Sequence, residues 1–353
     1  MTVPKVFLPV LQHLAGDVSA HFGIARLQLR PIHYEDRPFT HLLRVAVHHE
    51  RSRQPHATVF VKVVKPRQIE GGADALRERL IRDFEATRRV HQSLSGHADL
   101  GVVPPIACYP DHLAIVTEGV TGPTLLAHLQ KEASWFPGRA RRSALEDRLS
   151  LVGRWLRVFQ SSGPAAGAVT IESIRSYIDV RLERLVRHRA AGFAESDRNR
   201  VLEHVELLGK QVPAEDLQAV CIHADLALGN VLVSGSRIVV LDFEMANSGT
   251  SLHDLTRVFL QLELLAVKPQ VRETVVATLQ RALLDGFDPA VTPDRALFRL
   301  LMLLHRINNV GTLSLQRRRF PESLYNRVVV SRHLRLIAAE LRQPVGGDRE
   351  RMS

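Results

Sequence analysis

Two apolar runs, Val231-Leu232-Val233 and Ile238-Val239-Val240-Leu241, enclose Ser234-Gly235-Ser236 inside a stretch that otherwise has helical periodicity. β-Branched residues on either side of a small turn specify a hairpin. A lone hairpin is marginal in water and must pack on a larger body. A hairpin set within a helical domain is therefore the feature that most narrows the fold.

The rest of the chain sorts into two kinds of segment around it. Residues 24 to 65 read as strands, with Leu43 to His48 and Thr58 to Lys65 separated by the turn-like Arg51-Ser-Arg-Gln-Pro55. A helix follows over 73–94, with Leu76, Leu80, Phe84 and Leu94 at helical spacing. Two further strands are expected over 101–107 and 113–118. The apolar run from Val6 to Ala15 is too short to span a bilayer and lacks a basic leader, so it reads as a helix packed on the domain. Past Gly119-Val-Thr-Gly-Pro123, helices are expected over 125–130, 145–160, 174–188, 197–209, 252–265, 270–284 and 294–308. The expected organisation is an N-terminal lobe over 1–118, a hinge over 119–123, a helical lobe over 124–343 and a disordered tail over 344–353. The fold class is α+β. A chain of 353 residues has room for two such domains. Cys108 and Cys221 form no disulfide framework and no metal-ligand spacing, which favours a reducing, cytoplasmic compartment.

Polar residues bracket the hairpin. His223-Ala-Asp225-Leu-Ala-Leu-Gly-Asn230 precedes it, and Asp242-Phe-Glu244 closes it. Each alone has a plain reading as turn chemistry or a core histidine. Together they match what phosphoryl transfer needs: a carboxylate to orient or deprotonate the attacking hydroxyl, and oxygen ligands for the metal that neutralises the phosphates. Asp225 suits the first role. Asn230 and Asp242, held side by side by the two strands, can offer oxygens to Mg2+.

The pattern His223-Ala-Asp225…Asn230-Val-Leu-Val…Val-Leu-Asp242-Phe-Glu244, with His253-Asp254-Leu255 opening the next helix, resembles the signature of the aminoglycoside phosphotransferase and choline kinase-like family. The resemblance covers roughly residues 58 to 265. It implies a bilobal, protein-kinase-like fold and ATP-dependent phosphorylation of a hydroxyl on a small molecule, with Asp225 and His223 as catalytic residues. It also implies a lysine for the nucleotide phosphates. Val59-Phe-Val-Lys62-Val-Val resembles the lysine-bearing strand of kinases, and alternation puts Phe60, Lys62 and Val64 on one face. Phe84-Glu85-Ala-Thr-Arg-Arg-Val resembles the family's acid-bearing helix, so Glu85 is the expected partner of Lys62. Glu70 and Glu78 are rivals, because Arg67–Gly72 looks like an insertion. Glu118 is counted with the cofactor-binding residues. One departure stands out: Pro31-Ile-His-Tyr-Glu-Asp-Arg-Pro-Phe-Thr40, between the first two strands, contains no glycine where kinases cover the phosphates with a glycine-rich loop.

The formal charge of +10 favours anionic partners. Nucleic-acid binding is a weaker reading despite the clusters at 139–142, 181–189 and 317–319, since no nucleic-acid motif is present and aromatics are only 5% of the chain. A catalytically silent kinase-like module is the alternative to an enzyme. No dense acidic cluster occurs in the helical lobe to attract a polycation, so the expected acceptor is neutral or anionic, with peripheral contact to a membrane surface allowed. Glu244, His305, Arg306, Asn308 and Asn309 are the candidate acceptor contacts.

Overall fold

The computed structural model describes residues 3–50, 52–66, 72–163, 167–316, 319 and 321–344. Glu70, most of the apparent insertion at 67–72, Arg317, Arg318 and all of the C-terminal tail except Pro344 lie outside the described residues. The chain divides into two compact units. The first comprises Met1–Leu125 and Gly229–Ala246, the second Leu126–Leu228 and Asn247–Ser353.

In the first unit, α1 (Leu8–Phe22) precedes β1 (Leu27–Asp36), β2 (Thr40–His49), β3 (Ala57–Val64), α2 (Gly72–Ser93), β4 (Leu100–Val102), β5 (Pro105–Tyr109) and β6 (Ala114–Glu118). Five strands form an antiparallel sheet in the order β1-β2-β3-β6-β5. Alternation on β3 buries Val59, Val61 and Val63 against Phe7 and the α1 residues Val10, Leu14 and Val18. The N-terminal apolar run is thus the cover of one sheet face, as its composition led one to expect. Lys62 projects from the opposite face.

Two of the expected boundaries differ. The single strand expected over 101–107 is two strands, β4 and β5, in different sheets. Pro104 and Pro105 lack N–H groups and interrupt the ladder between them. The hairpin, expected within the helical lobe, groups with the first unit instead. Its strands, β8 (Val231–Ser234) and β9 (Arg237–Val240), form a sheet with β4, which pairs parallel to β9. That ladder is the physical reason for the grouping. The expected hinge is bound to the same hairpin: the Val233 amide donates to Pro123 O at 2.9 Å. Gly122 is obligatory there. Its φ is +148°, and a Cβ would lie 2.1 Å from Val233 O.

The second unit takes up α3 (Leu125–Glu132) from its second residue and continues with α4 (Arg139–Ser161), α5 (Ile171–Arg187) and α6 (Glu195–Gly209). Strands β7 (Ala219–Ile222) and β10 (Asn247–Thr250) pair antiparallel, and α7 (His253–Leu265), α8 (Glu273–Phe287), α9 (Ala296–Leu315) and α10 (Glu322–Glu340) complete it. Helix α10 has no counterpart among the helices read from the sequence, because its buried stripe is thin: Val329, His333, Ile337 and Glu340, two of them polar. Helices α4 and α8 cross closely at Gly153 and Gly286, where a Cβ would fall within 2.3 Å of a carbonyl oxygen of the other helix.

Candidate active site

The first unit assembles a charged cluster around β3. Lys62 Nζ donates to Asp242 Oδ1 at 3.0 Å. Asp242 lies two residues past the end of β9 and has φ +68°, a left-handed backbone that a non-glycine residue adopts only at some cost. Asn230 sits beside it across the hairpin, since the Leu241 amide donates to Asn230 O at 2.9 Å. The two sequence-predicted oxygen ligands are thus brought to neighbouring strand ends.

Glu85 is not the acid that reaches Lys62. Its carboxylate accepts from Arg88 at 2.6 Å on an exposed face of α2. On α2 the acid that acts on Lys62 is Asp83, which is 7% exposed and lies on the buried stripe Leu76, Leu80, Asp83, Thr87, Val90. Residues two apart on a helix point roughly 200° from each other, so burying Asp83 exposes Glu85. The signal was present in the sequence as a carboxylate in register with the apolar stripe. Glu78 is likewise at the surface, beside Arg82.

The electrostatics of the cluster follow from three carboxylates around one lysine. Burial alone would lower the Lys62 pKa, but Asp242 and Asp83 outweigh it and hold the ammonium protonated above its ordinary range. Asp83 is pushed up to about 6, by burial first and by the charges of Asp242 and Glu244, against the pull of Lys62 and a hydrogen bond from the Phe243 amide. Glu244 pairs with Arg79 at 3.3 Å. Glu118, at the end of β6, faces His21 at 3.3 Å. Among the described residues no group of three or more His, Cys, Asp or Glu could hold a metal. A site built on one aspartate and one asparagine suits magnesium, which keeps several waters and binds substrate phosphates.

The second unit holds the other motif. His223 is fully buried, and Asp254 at the first turn of α7 accepts from two consecutive amides, those of His223 at 2.6 Å and Ala224 at 2.9 Å. Ala224 has φ +60°, and this carboxylate bracket secures the left-handed turn between His223 and Asp225. Arg257, one turn further along α7, donates to Asp225. The Leu228 amide donates to Gln261 Oε1 at 2.8 Å, and Gln261 in turn donates to Leu226 O at 3.1 Å. One face of α7 therefore holds the whole segment from 223 to 228. Arg257 and Gln261 escaped the sequence reading, although Asp254, Arg257 and Gln261 recur at helical spacing.

The candidate acceptor contacts fare unequally. His305 is a core residue, with Nε2 3.1 Å from both His253 O and Thr256 Oγ1, and burial pushes its pKa down to about 3. Asn308 accepts from Arg181. Arg306 pairs with Glu263 at 2.9 Å, both mostly buried. Asn309 lies 3.4 Å from His333. Arg306 Nε and Glu263 Oε1 are buried without a hydrogen-bond partner among the described residues. Glu244 belongs to the first unit, with Arg79, and not to the C-terminal helices.

A lysine strand bonded to the aspartate that ends a hairpin, in an α+β chain with an antiparallel N-terminal sheet and a helical C-terminal part, defines a protein-kinase-like phosphotransferase. The model of the phosphotransferase enzyme family (APH) matches residues 77–293, and the chain belongs to that family. Solved structures share the fold at low identity. A thermostable mutant of aminoglycoside phosphotransferase APH(4)-Ia in ternary complex with ADP and hygromycin B is 14% identical, with TM-score 0.53 over 95% of this chain and 99% of that one. The streptomycin–ATP–APH(2″)-IIa ternary complex is 14% identical, with TM-score 0.52 over 97% and 99%. Choline kinase from Cryptosporidium parvum Iowa II is 12% identical, with TM-score 0.52 over 93% and 97%. No curated protein matches the sequence significantly. At these identities the likeness establishes the fold.

Proposed function

We propose that this phosphotransferase moves the γ-phosphoryl group of ATP to a hydroxyl of a neutral or anionic small molecule or glycoconjugate, such as a sugar, aminocyclitol or amino alcohol. The observation that carries the reading is the Lys62–Asp242 contact on β3 and the hairpin, with Asn230 alongside. Lys62 binds nucleotide phosphates, and Asn230 with Asp242 holds magnesium. Bound magnesium supplies neutralisation of charge on the phosphate oxygens. Asp225, held by Arg257, orients the acceptor hydroxyl and takes its proton as the oxygen–phosphorus bond forms and the bond to the ADP oxygen breaks. His223 and Asp254 position that carboxylate through the backbone of the loop.

The acceptor's charge class rests on the state of the acids in the second unit. Asp179, Asp216, Asp225, Glu263 and Glu340 each pair with an arginine, namely Arg198, Arg295, Arg257, Arg306 and Arg299. Carboxylates neutralised in this way attract a polycation poorly. Arg306, Asn309 and the spare polar atoms of the Arg306–Glu263 pair are the proposed acceptor contacts. Two free cysteines, Cys108 and Cys221, support a reducing, cytoplasmic setting. No helix among the described residues is long and apolar enough to cross a membrane.

The test is an acceptor panel of sugars, aminocyclitols, amino alcohols and their phosphorylated or acidic derivatives, assayed with γ-labelled ATP and magnesium. Label transfer to a neutral or anionic member is expected. Transfer to polycationic aminoglycosides alone would overturn the charge assignment. ATP binding with no transfer to any member would favour a silent nucleotide-binding module.

A further inference from the structure

The loop joining α3 to α4 carries Trp135 and Phe136, which are 68% and 73% exposed. They are the most exposed large apolar side chains among the described residues. The loop is anchored from below: the Trp135 amide donates to Gln270 O at 2.7 Å, and the Arg272 guanidinium lies 4.0 Å from the Phe136 ring centre. Those partners belong to the segment joining α7 to α8. Both aromatics are therefore presented by an ordered platform.

The rim of this tip is cationic. Arg272 lies over the Phe136 ring, and Lys131, Arg139, Arg141, Arg142 and Lys268 flank the tip in the chain, against the carboxylates Glu132 and Glu273. Glu132 pairs with Lys131 and Arg141, and Glu273 with Arg332, so the excess positive charge is that of Arg139, Arg142, Lys268 and Arg272. The platform also stands apart from the site already described. It lies at the C-terminal end of α7, whereas Asp254 lies at the N-terminal end, about 20 Å away for a 13-residue helix.

We propose that Trp135 and Phe136, ringed by these cations, dock the protein on the surface of an anionic lipid bilayer. Exposed aromatics flanked by lysine and arginine are suited to the water–lipid boundary, where the rings enter the headgroup layer and the cations meet anionic lipids. The cationic rim disfavours a second copy of this chain, because a two-fold contact would set the rim against itself. A nucleic-acid backbone would satisfy the cations yet give the two rings no apolar phase to enter.

The chain supplies its own reporter. It has two tryptophans, and Trp155 is fully buried, so a change in emission on binding reads Trp135. The full-length protein is mixed with vesicles of phosphatidylcholine alone or of phosphatidylcholine with phosphatidylglycerol. Co-sedimentation and a blue shift are expected with the anionic vesicles only, and both should weaken as salt is raised. W135A/F136A should lower partitioning at least about 10-fold, and R139Q/R272Q about 10-fold, each basic residue contributing modestly near the surface. The substituted side chains are exposed, so unchanged melting temperatures serve as the folding control. No sedimentation with anionic vesicles, or equal sedimentation of W135A/F136A, would overturn the proposal. So would self-association abolished by W135A/F136A, or oligonucleotide binding, in the absence of vesicle binding.

Discussion

Lys62 and Asp242, 180 residues apart in the chain, meet at 3.0 Å where β3 and the end of the hairpin come together in one compact unit. A lysine amid valines on a sheet strand needs a counter-charge, and an aspartate in a left-handed backbone needs a reason to be there. Each supplies the other's requirement. Lys62→Ala should therefore weaken both ATP binding and turnover. Asp242→Ala should remove the magnesium-dependent part of the ATP-induced rise in melting temperature. That rise is worth about 2.7 kcal/mol at 100 times Kd in the wild type. A wild-type shift that is the same in EDTA as in magnesium would remove the ligand assignment.

Asp83 and Glu85 make a matched pair for testing which acid supports the lysine. Asp83→Asn should lower kcat/KM for ATP about 10-fold, because Lys62 loses the second carboxylate charge that holds it beside Asp242. Glu85→Gln, at the surface with Arg88, should leave turnover unaltered and stability within about 0.5 kcal/mol. Steady-state kinetics with ATP varied distinguishes the two, and a larger effect at Glu85 would reverse the assignment.

Asp225→Asn keeps the shape of the side chain and removes its charge. Turnover on the acceptor should fall about 10²–10⁴-fold, the usual contribution of a general base, while ATP affinity changes little. Arg257→Gln should lower kcat less severely and leave ATP affinity similarly unaltered, since Arg257 holds Asp225 rather than the nucleotide. Nucleotide calorimetry paired with acceptor phosphorylation reads both. Full turnover in Asp225→Asn would eliminate it as the base.

Acid should destabilise the second unit through two buried histidines. Burial pushes His305 down to about 3 and, with the charges of Arg306 and Arg332, His333 down to about 4, against about 6.5 in an unfolded chain. Between pH 6.5 and 4 the unfolded state binds more protons than the native one, so stability rises with pH across that window. At pH 5 each histidine should cost about 2 kcal/mol relative to neutral pH. His333→Gln should flatten the dependence of denaturation midpoint on pH between 7 and 5. An unchanged slope would mean that His333 does not stay neutral in the native protein.

The hairpin, the lysine strand, the motif from His223 to Asp242 and most helices were legible because each rests on local rules: alternation, turn residues and fixed spacing. Even the burial of Val59, Val61 and Val63 opposite Lys62 follows from period two. On α2 two local signals compete. A family-like spacing drew attention to Glu85, while the apolar stripe that carries Asp83 inward was equally readable.

What the sequence by itself determined, then, was the fold class and the class of chemistry, since motif spacing is a property of the chain. Only the tertiary structure decided which body the hairpin joins, because a three-residue strand, β4, must pair with β9 across more than 130 residues of intervening chain. It likewise decided that Arg257 holds Asp225 and that Asp254 secures the turn beside it. Those contacts depend on where α7 packs, and packing is set by burial of whole helix faces that no local spacing encodes.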